Sequence, residues 1–165
     1  MKATFTLILV LSSTFIFAQT KWKRLTQRPL EVTYKIPNGW FIGGYMKDPN
    51  CKCMGATINT APDRSVNMVI FESNQFGLDS LKKQQLWGYT FLANLDISED
   101  SLETAHLQYT KALSSWKEDN TLEVLRFATT YNETSYLIYF WGEKDDIERH
   151  QETIDIILHS IEPAQ

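Results

Sequence analysis

Alternating apolar and polar side chains set the first half of the chain. Val32, Tyr34 and Ile36 alternate with Thr33 and Lys35, which predicts a half-buried strand ending at Pro37-Asn38-Gly39. Residues 40–45 form a second apolar stretch, in which Gly43-Gly44 permits a bulge or a close approach by another backbone. A polar turn is expected over 47–52, followed by strands over 56–59 and 66–71. The run Met68-Val69-Ile70-Phe71 is apolar at every position, the pattern of a strand covered on both faces. The period then lengthens. Leu81, Gly88, Phe91, Leu92 and Leu95 share one face of a helix over 79–95, with Asp79 placed to cap its first turn.

The acidic stretch 96–103 reads as a loop, and three strands follow as a meander. Leu107, Tyr109 and Leu113 mark one face of the first, Glu118-Asp119-Asn120 turns into the second over 122–131, and 132–135 turns into the third. That third run, 136–141, is again apolar on both faces. Ile147, Ile154, Ile157, Leu158 and Ile161 recur at helical spacing, with Asp145 and Glu148 spaced as a capping box and Pro163 closing the element. Sequential hairpins imply a mostly antiparallel sheet with helices packed on it, an α+β fold. No repeat or long linker divides the 165 residues, so one domain is expected.

The N-terminus belongs to another category. Met1-Lys2 is followed by a run to Ala18 that is apolar apart from a few Ser and Thr, too short to span a bilayer comfortably. Residues 1–18 have the layout of a signal peptide with cleavage near Phe17-Ala18-Gln19, and no Cys follows that would mark a lipid anchor. The organisation expected is a signal peptide over 1–18, a lead-in over 19–30 and a single domain over 31–165. Export to a periplasmic or extracellular space follows, with no integral membrane span after cleavage. Loss of residues 1–18 removes one charge, Lys2, and leaves the chain more acidic than its formal net charge of −4. An acidic balance argues against nucleic acid as a partner. The basic cluster Lys21, Lys23, Arg24 and Arg28 falls in the lead-in and reads as a solvated, flexible tail.

Tyr34-x-Ile36-Pro37-x-Gly39-Trp40 opens the domain, the order is strands, helix, strands, and a closing helix runs into Ser160-Ile161. In these features the chain resembles the PsbP-like α/β/α sandwich superfamily, which includes the bacterial DcrB-like envelope proteins. The resemblance implies an exported bacterial member with a compact, usually non-enzymatic domain that works through protein contacts. It implies no shared active site, so no functional residue is carried over.

Candidate chemistry is sparse. Cys51-Lys52-Cys53 lies between Met46 and Met54, four soft sulfur donors within nine positions that suit a thiophilic ion such as copper. Two other readings stay open: structural or incidental thiols, and a strained, easily reduced disulfide with a redox role. No other cofactor is indicated. His106, His150 and His159 form no ligand pattern and read as surface or edge positions. No HExxH, phosphate loop or GxSxG is present, and Ser73 and Ser80 have no His near them in sequence. A hydrolase would need a His bonded to a carboxylate beside a nucleophile, assembled by folding. Trp40-Phe41 and Tyr139-Phe140-Trp141 can line a pocket but more often form core. The expected role is an accessory or binding module whose partner is another envelope or secreted protein, for which an exposed apolar patch would speak and a deep polar cleft would not.

Overall fold

The structure is a computed structural model that describes residues 21–47, 54–81, 99–115 and 121–164. The signal segment, most of the 79–95 helix, Glu118-Asp119-Asn120, Cys51 and Cys53 lie outside those residues.

The two all-apolar runs become the centre of the sheet. Strand β6 (Val66–Ser73) pairs antiparallel with β10 (Thr134–Glu143), so that Ile70 faces Ile138 and Met68 faces Phe140 across the ladder. Outward on one side lie β5 (Met54–Thr60) and, sharing its far edge, the two short strands β3 (Phe41–Ile42) and β4 (Met46–Lys47). Outward on the other lie β9 (Leu122–Tyr131), β8 (Gln108–Ser115) and β7 (Glu99–Glu103), which completes eight strands. A second sheet has β2 (Val32–Pro37) between β1 (Trp22–Gln27) and β11 (Glu162–Pro163). Every pairing is antiparallel.

Strand alternation divides the core in two. Met68, Ile70, Ile138 and Phe140 join Tyr34, Ile36, Ile154, Ile157 and Leu158 on one face of the large sheet. Val69, Phe71, Leu137 and Tyr139 join Ala56, Val124 and Ala128 on the other. Each of the large aliphatic and aromatic side chains among them contributes about 1.5–3 kcal/mol of burial. Edge-on aromatic contacts reinforce both faces, as between Phe127 and Phe140 at 6.2 Å and between Phe71 and Tyr139 at 6.1 Å. The described architecture is therefore a mostly antiparallel sheet with helices packed on it, richer in sheet than an even sandwich.

Several expectations are corrected. The lead-in is ordered: β1 pairs along its whole length with β2, and Arg28–Leu30 make a 3-10 turn that buries Leu30. Its strand was hidden because ladder hydrogen bonds carry it, with only Trp22 and Leu25 packing on the core. Glu99–Glu103 is strand and not loop, an edge strand where charge is tolerated and where Leu102 packs inward. Leu113 is 53% exposed, unlike Leu107 and Tyr109. The helix containing Asp79 begins at Leu78 (α1, Leu78–Leu81), so Asp79 sits in its first turn and is not its cap. The closing helix is two, α2 (Lys144–Arg149) and α3 (Gln151–Ser160), parted at His150 with φ −97° and ψ 7°. Glu143 holds the cap position of α2 without a side-chain bond, so Asp145 and Glu148 form no capping box; acidic Asp145 and Asp146 suit the helix dipole.

Between β3 and β4 the chain bulges. Gly43 N donates to Ile58 O at 2.6 Å, and a Cβ at Gly43 would stand 2.7 Å from that oxygen. The expected close backbone approach is this contact. The β9–β10 hairpin closes through Asn132 and Glu133, both left-handed with φ 46° and 65°, the pairing that matches strand twist in a two-residue turn.

Candidate functional site

Where β6 leaves the core, its inward face changes character. Alternation puts residue 72 on the side of Met68 and Ile70, but the residue there is Glu72, only 8% exposed. Its ladder partners are Tyr136 on β10 and Gly55 on β5. A Cβ at Gly55 would fall 2.0 Å from Tyr45 Oη, so the missing side chain is what lets the Tyr45 ring lie across β5. From there Tyr45 Oη donates to Glu72 Oε1 at 2.8 Å. Tyr136 Oη donates in turn to Leu30 O at 2.9 Å, tying the 3-10 turn to β10.

Burial raises the Glu72 carboxyl above its ordinary value, against the opposing pull of the Tyr45 hydrogen bond and the Lys47 ammonium. Burial likewise raises the Tyr45 phenol, and the Glu72 charge adds to it. Burial, then Glu31 and Glu72, push Tyr136 up to about 12. Both phenols therefore stay protonated donors to their acceptors. A cavity of about 400 Å³ opens over Glu72 and Tyr136, bordered by Glu31, Lys47, Asn132 and Glu133. Among the described residues no Ser, Cys or His lines it, and its lining offers hydrogen bonds and charge.

The outer edge of β5 carries apolar side chains. Phe41 is 66% exposed and Met46 47%, on the two strands that flank the Gly43-Gly44 bulge. Trp40, Tyr139 and Phe140 are core, as the commoner reading of those aromatics holds, whereas Phe41 is not. The backbone of Met46 pairs with Ala56 and that of Lys47 with Gly55, so Met46 and Met54 flank the connection that carries Cys51 and Cys53. Among the described residues no three His, Cys, Asp or Glu side chains converge to hold a metal.

A second constellation joins Asp63, Ser65 and His150. Ser65 Oγ donates to Asp63 Oδ1 at 2.6 Å and lies 3.2 Å from His150 Nε2. A hydrolytic triad needs the carboxylate on the His and the Ser proton aimed at that His. Here the carboxylate takes the Ser proton, which leaves His150 to donate to Ser65. The Ser65 bonds hold the Asp63 carboxyl below its ordinary value. The arrangement fastens the β5–β6 turn to the break between α2 and α3. Sequence reasoning missed it, although Asp63-x-Ser65 after Pro62 is the spacing of an Asx turn. It missed Glu72 as well, whose signal was a charge at a core position of an apolar run. His106 and His159 are exposed, as expected.

No protein-family model matches the chain. No curated protein matches it either. Solved structures do. The solution structure of cyanobacterial PsbP (CyanoP) from Synechocystis sp. PCC 6803 is similar with a TM-score of 0.59 at 13% identity, over 93% of this chain and 98% of that one. A crystal structure from Bacteroides thetaiotaomicron VPI-5482 gives 0.57 at 14% identity, over 87% of this chain but 48% of that one. LpqN, involved in cell envelope biogenesis of Mycobacterium tuberculosis, gives 0.40 at 8% identity, over 89% and 92% of the two chains. Among the described residues no helix is long and apolar enough to cross a membrane.

Proposed function

We propose that this chain, whose fold is PsbP-like, is an exported accessory or binding module that engages another envelope or secreted protein and turns over no substrate. The observation that carries the reading is the split edge β3–β4. It presents Phe41 and Met46 to solvent along the outer edge of the large sheet. Covering the exposed part of those two side chains contributes about 1–2 kcal/mol each, enough to help anchor a contact whose rim is polar. The cavity over Glu72 weighs toward a small polar ligand. Among the described residues its lining nevertheless holds no Ser, Cys or His, and the Ser65 hydroxyl is committed to Asp63. Export rests on the layout of residues 1–18.

The test is site-specific photo-crosslinking of the full-length precursor, expressed and processed in its own cells, with a photoreactive residue at Phe41 and, as control, at Lys144. A discrete protein adduct at Phe41 that is absent at Lys144 and lost on Met46→Ser supports the reading. Equal adducts at both positions, or none at Phe41, overturn it.

A second reading, thiol or soft-metal handling of the copper type by Met46, Cys51, Cys53 and Met54, is favoured by the β4–β5 register, which closes the cysteine connection between the two methionines. Native intact mass of the protein, purified without chelator or reductant, tests it. Bound metal lost in Cys51→Ser/Cys53→Ser supports this role, and a metal-free mass with reduced thiols removes it.

A further inference from the structure

A different corner of the molecule gathers positive charge on an acidic chain. Strand β11 pairs with β2 only at Glu162 with Thr33 and Pro163 with Val32. Just before it the C-terminal end of α3 meets β2 through Ser160 Oγ, which accepts from Lys35 N at 2.8 Å, and an opening lies beside that contact. The opening is a cleft of about 330 Å³ lined by Arg24, Lys35, His106, His159, Glu162 and Ile156, among others.

Its charges do not balance. Arg24 and Lys35 stand directly opposite each other in the β1–β2 ladder, a like-charge placement that costs stability. Among the described residues Glu162 is the one carboxylate in the lining, and both its oxygens are committed. Oε1 takes the Arg24 guanidinium, and Oε2 lies 3.4 Å from His106 Nε2. Among the described residues no carboxylate lies within ion-pairing reach of Lys35 or His159. Two full cations therefore face one carboxylate before either imidazole is protonated. The C-terminus of α3 opposes an anion with about half a charge. Its last carbonyls are already occupied, Ile157 O by the Ser160 hydroxyl at 2.7 Å and Leu158 O by Ile161 N at 3.2 Å.

We propose that this cleft binds a small ligand through an oxyanion group, a carboxylate or phosphate held between Arg24 and Lys35. The two imidazoles supply further N–H donors, and exposed Ile156 meets the apolar part of the ligand. A local conflict that a fold tolerates without a structural return is the kind that marks a binding site. The group can arrive on a free metabolite or on a lipid headgroup, and the chemistry of capture is the same.

The test is an amide NMR titration of the signal-cleaved protein with inorganic phosphate at constant ionic strength, with chloride as the matched control. Saturable shifts confined to Lys35, His106, His159 and Ser160 are expected. Lys35→Gln, which breaks no ion pair of the fold, weakens phosphate roughly tenfold, the worth of one charge-assisted hydrogen bond. A parallel arm measures co-sedimentation with phosphatidylglycerol vesicles. Phosphate binding without vesicle binding assigns a free oxyanion, and vesicle binding lost in Lys35→Gln assigns a headgroup. Shifts scattered over the surface that chloride reproduces, or a response unchanged in Lys35→Gln in both arms, overturn the proposal. Neither outcome touches the Phe41 edge.

Discussion

Replacing Gly55 with Ala adds one methyl group, and the structure says where the cost falls. The three nearest atoms to the new Cβ all belong to Tyr45, at 2.0, 2.4 and 2.5 Å, so the phenol ring has to leave β5. With it goes the 2.8 Å hydrogen bond to Glu72, a buried acceptor that then loses its donor. A hydrogen bond to a charged group contributes about 1.5–3 kcal/mol. Relief of glycine's backbone entropy in a strand returns about 0.5–1 kcal/mol. The net is a destabilisation of about 1–2 kcal/mol, or a fall in Tm of roughly 2–8 °C for a chain of this size. Urea unfolding followed by tryptophan fluorescence measures it. Tyr45→Ala removes the obstructing ring, so Gly55→Ala in that background is expected to be neutral or slightly stabilising. The coupling between the two sites then equals the hydrogen-bond value. If Gly55→Ala costs the same in both backgrounds, within about 0.5 kcal/mol, the account of Gly55 as the seat of Tyr45 is wrong.

Other expectations follow from the same corner and its neighbours. The Glu72 carboxyl is raised in the folded state, so its contribution to stability is fully present below the unfolded value and is lost as pH rises through the folded one. Glu72→Gln is therefore expected to gain on the wild type as pH rises above about 4, the unfolded carboxyl value, and a gap in urea midpoints that stays flat or narrows with pH counts against it. Glu133→Gly places glycine at φ 65° in the β9–β10 turn and is expected to stabilise by about 1 kcal/mol, checked by thermal unfolding; a lower Tm would deny the left-handed turn. Ser160→Ala removes the acceptor for Lys35 N and should cost about 1 kcal/mol, with faster amide exchange at Lys35 as its signature.

The legible parts of the fold are those whose evidence is local. Met68 to Phe71 and residues 136–141 announce central strands because covered strands need apolar side chains at every position. Asn132 turned the chain as expected, since short polar side chains tolerate the left-handed region. Strands β1 and β7 were illegible because Lys23, Arg24, Asp100 and Glu103 carry no strand period, and their hydrogen bonds come from β2 and β8. The sulfur residues were visible as a sequence cluster, and the structure places Met46 and Met54 on adjoining strands. Glu72 and Tyr45 stand 27 positions apart, and no local pattern couples a phenol to a carboxylate over that distance.

The position of β11 has a consequence for the order in which the molecule can be assembled. Strand β2 lies between β1, which precedes it by a few residues, and β11, which arrives about 130 positions later, with Ala164 N closing on Glu31 O at 2.8 Å. The face of the core that holds Tyr34 and Ile36 also waits for Ile154, Ile157 and Leu158. A chain emerging from its N-terminus can form the β1–β2 hairpin early, but that hairpin finds its cover only when the last helix has been delivered. Such long-range closure slows folding. The small sheet is therefore the part of the described fold that closes last, its middle strand made early and its third strand supplied only after both closing helices.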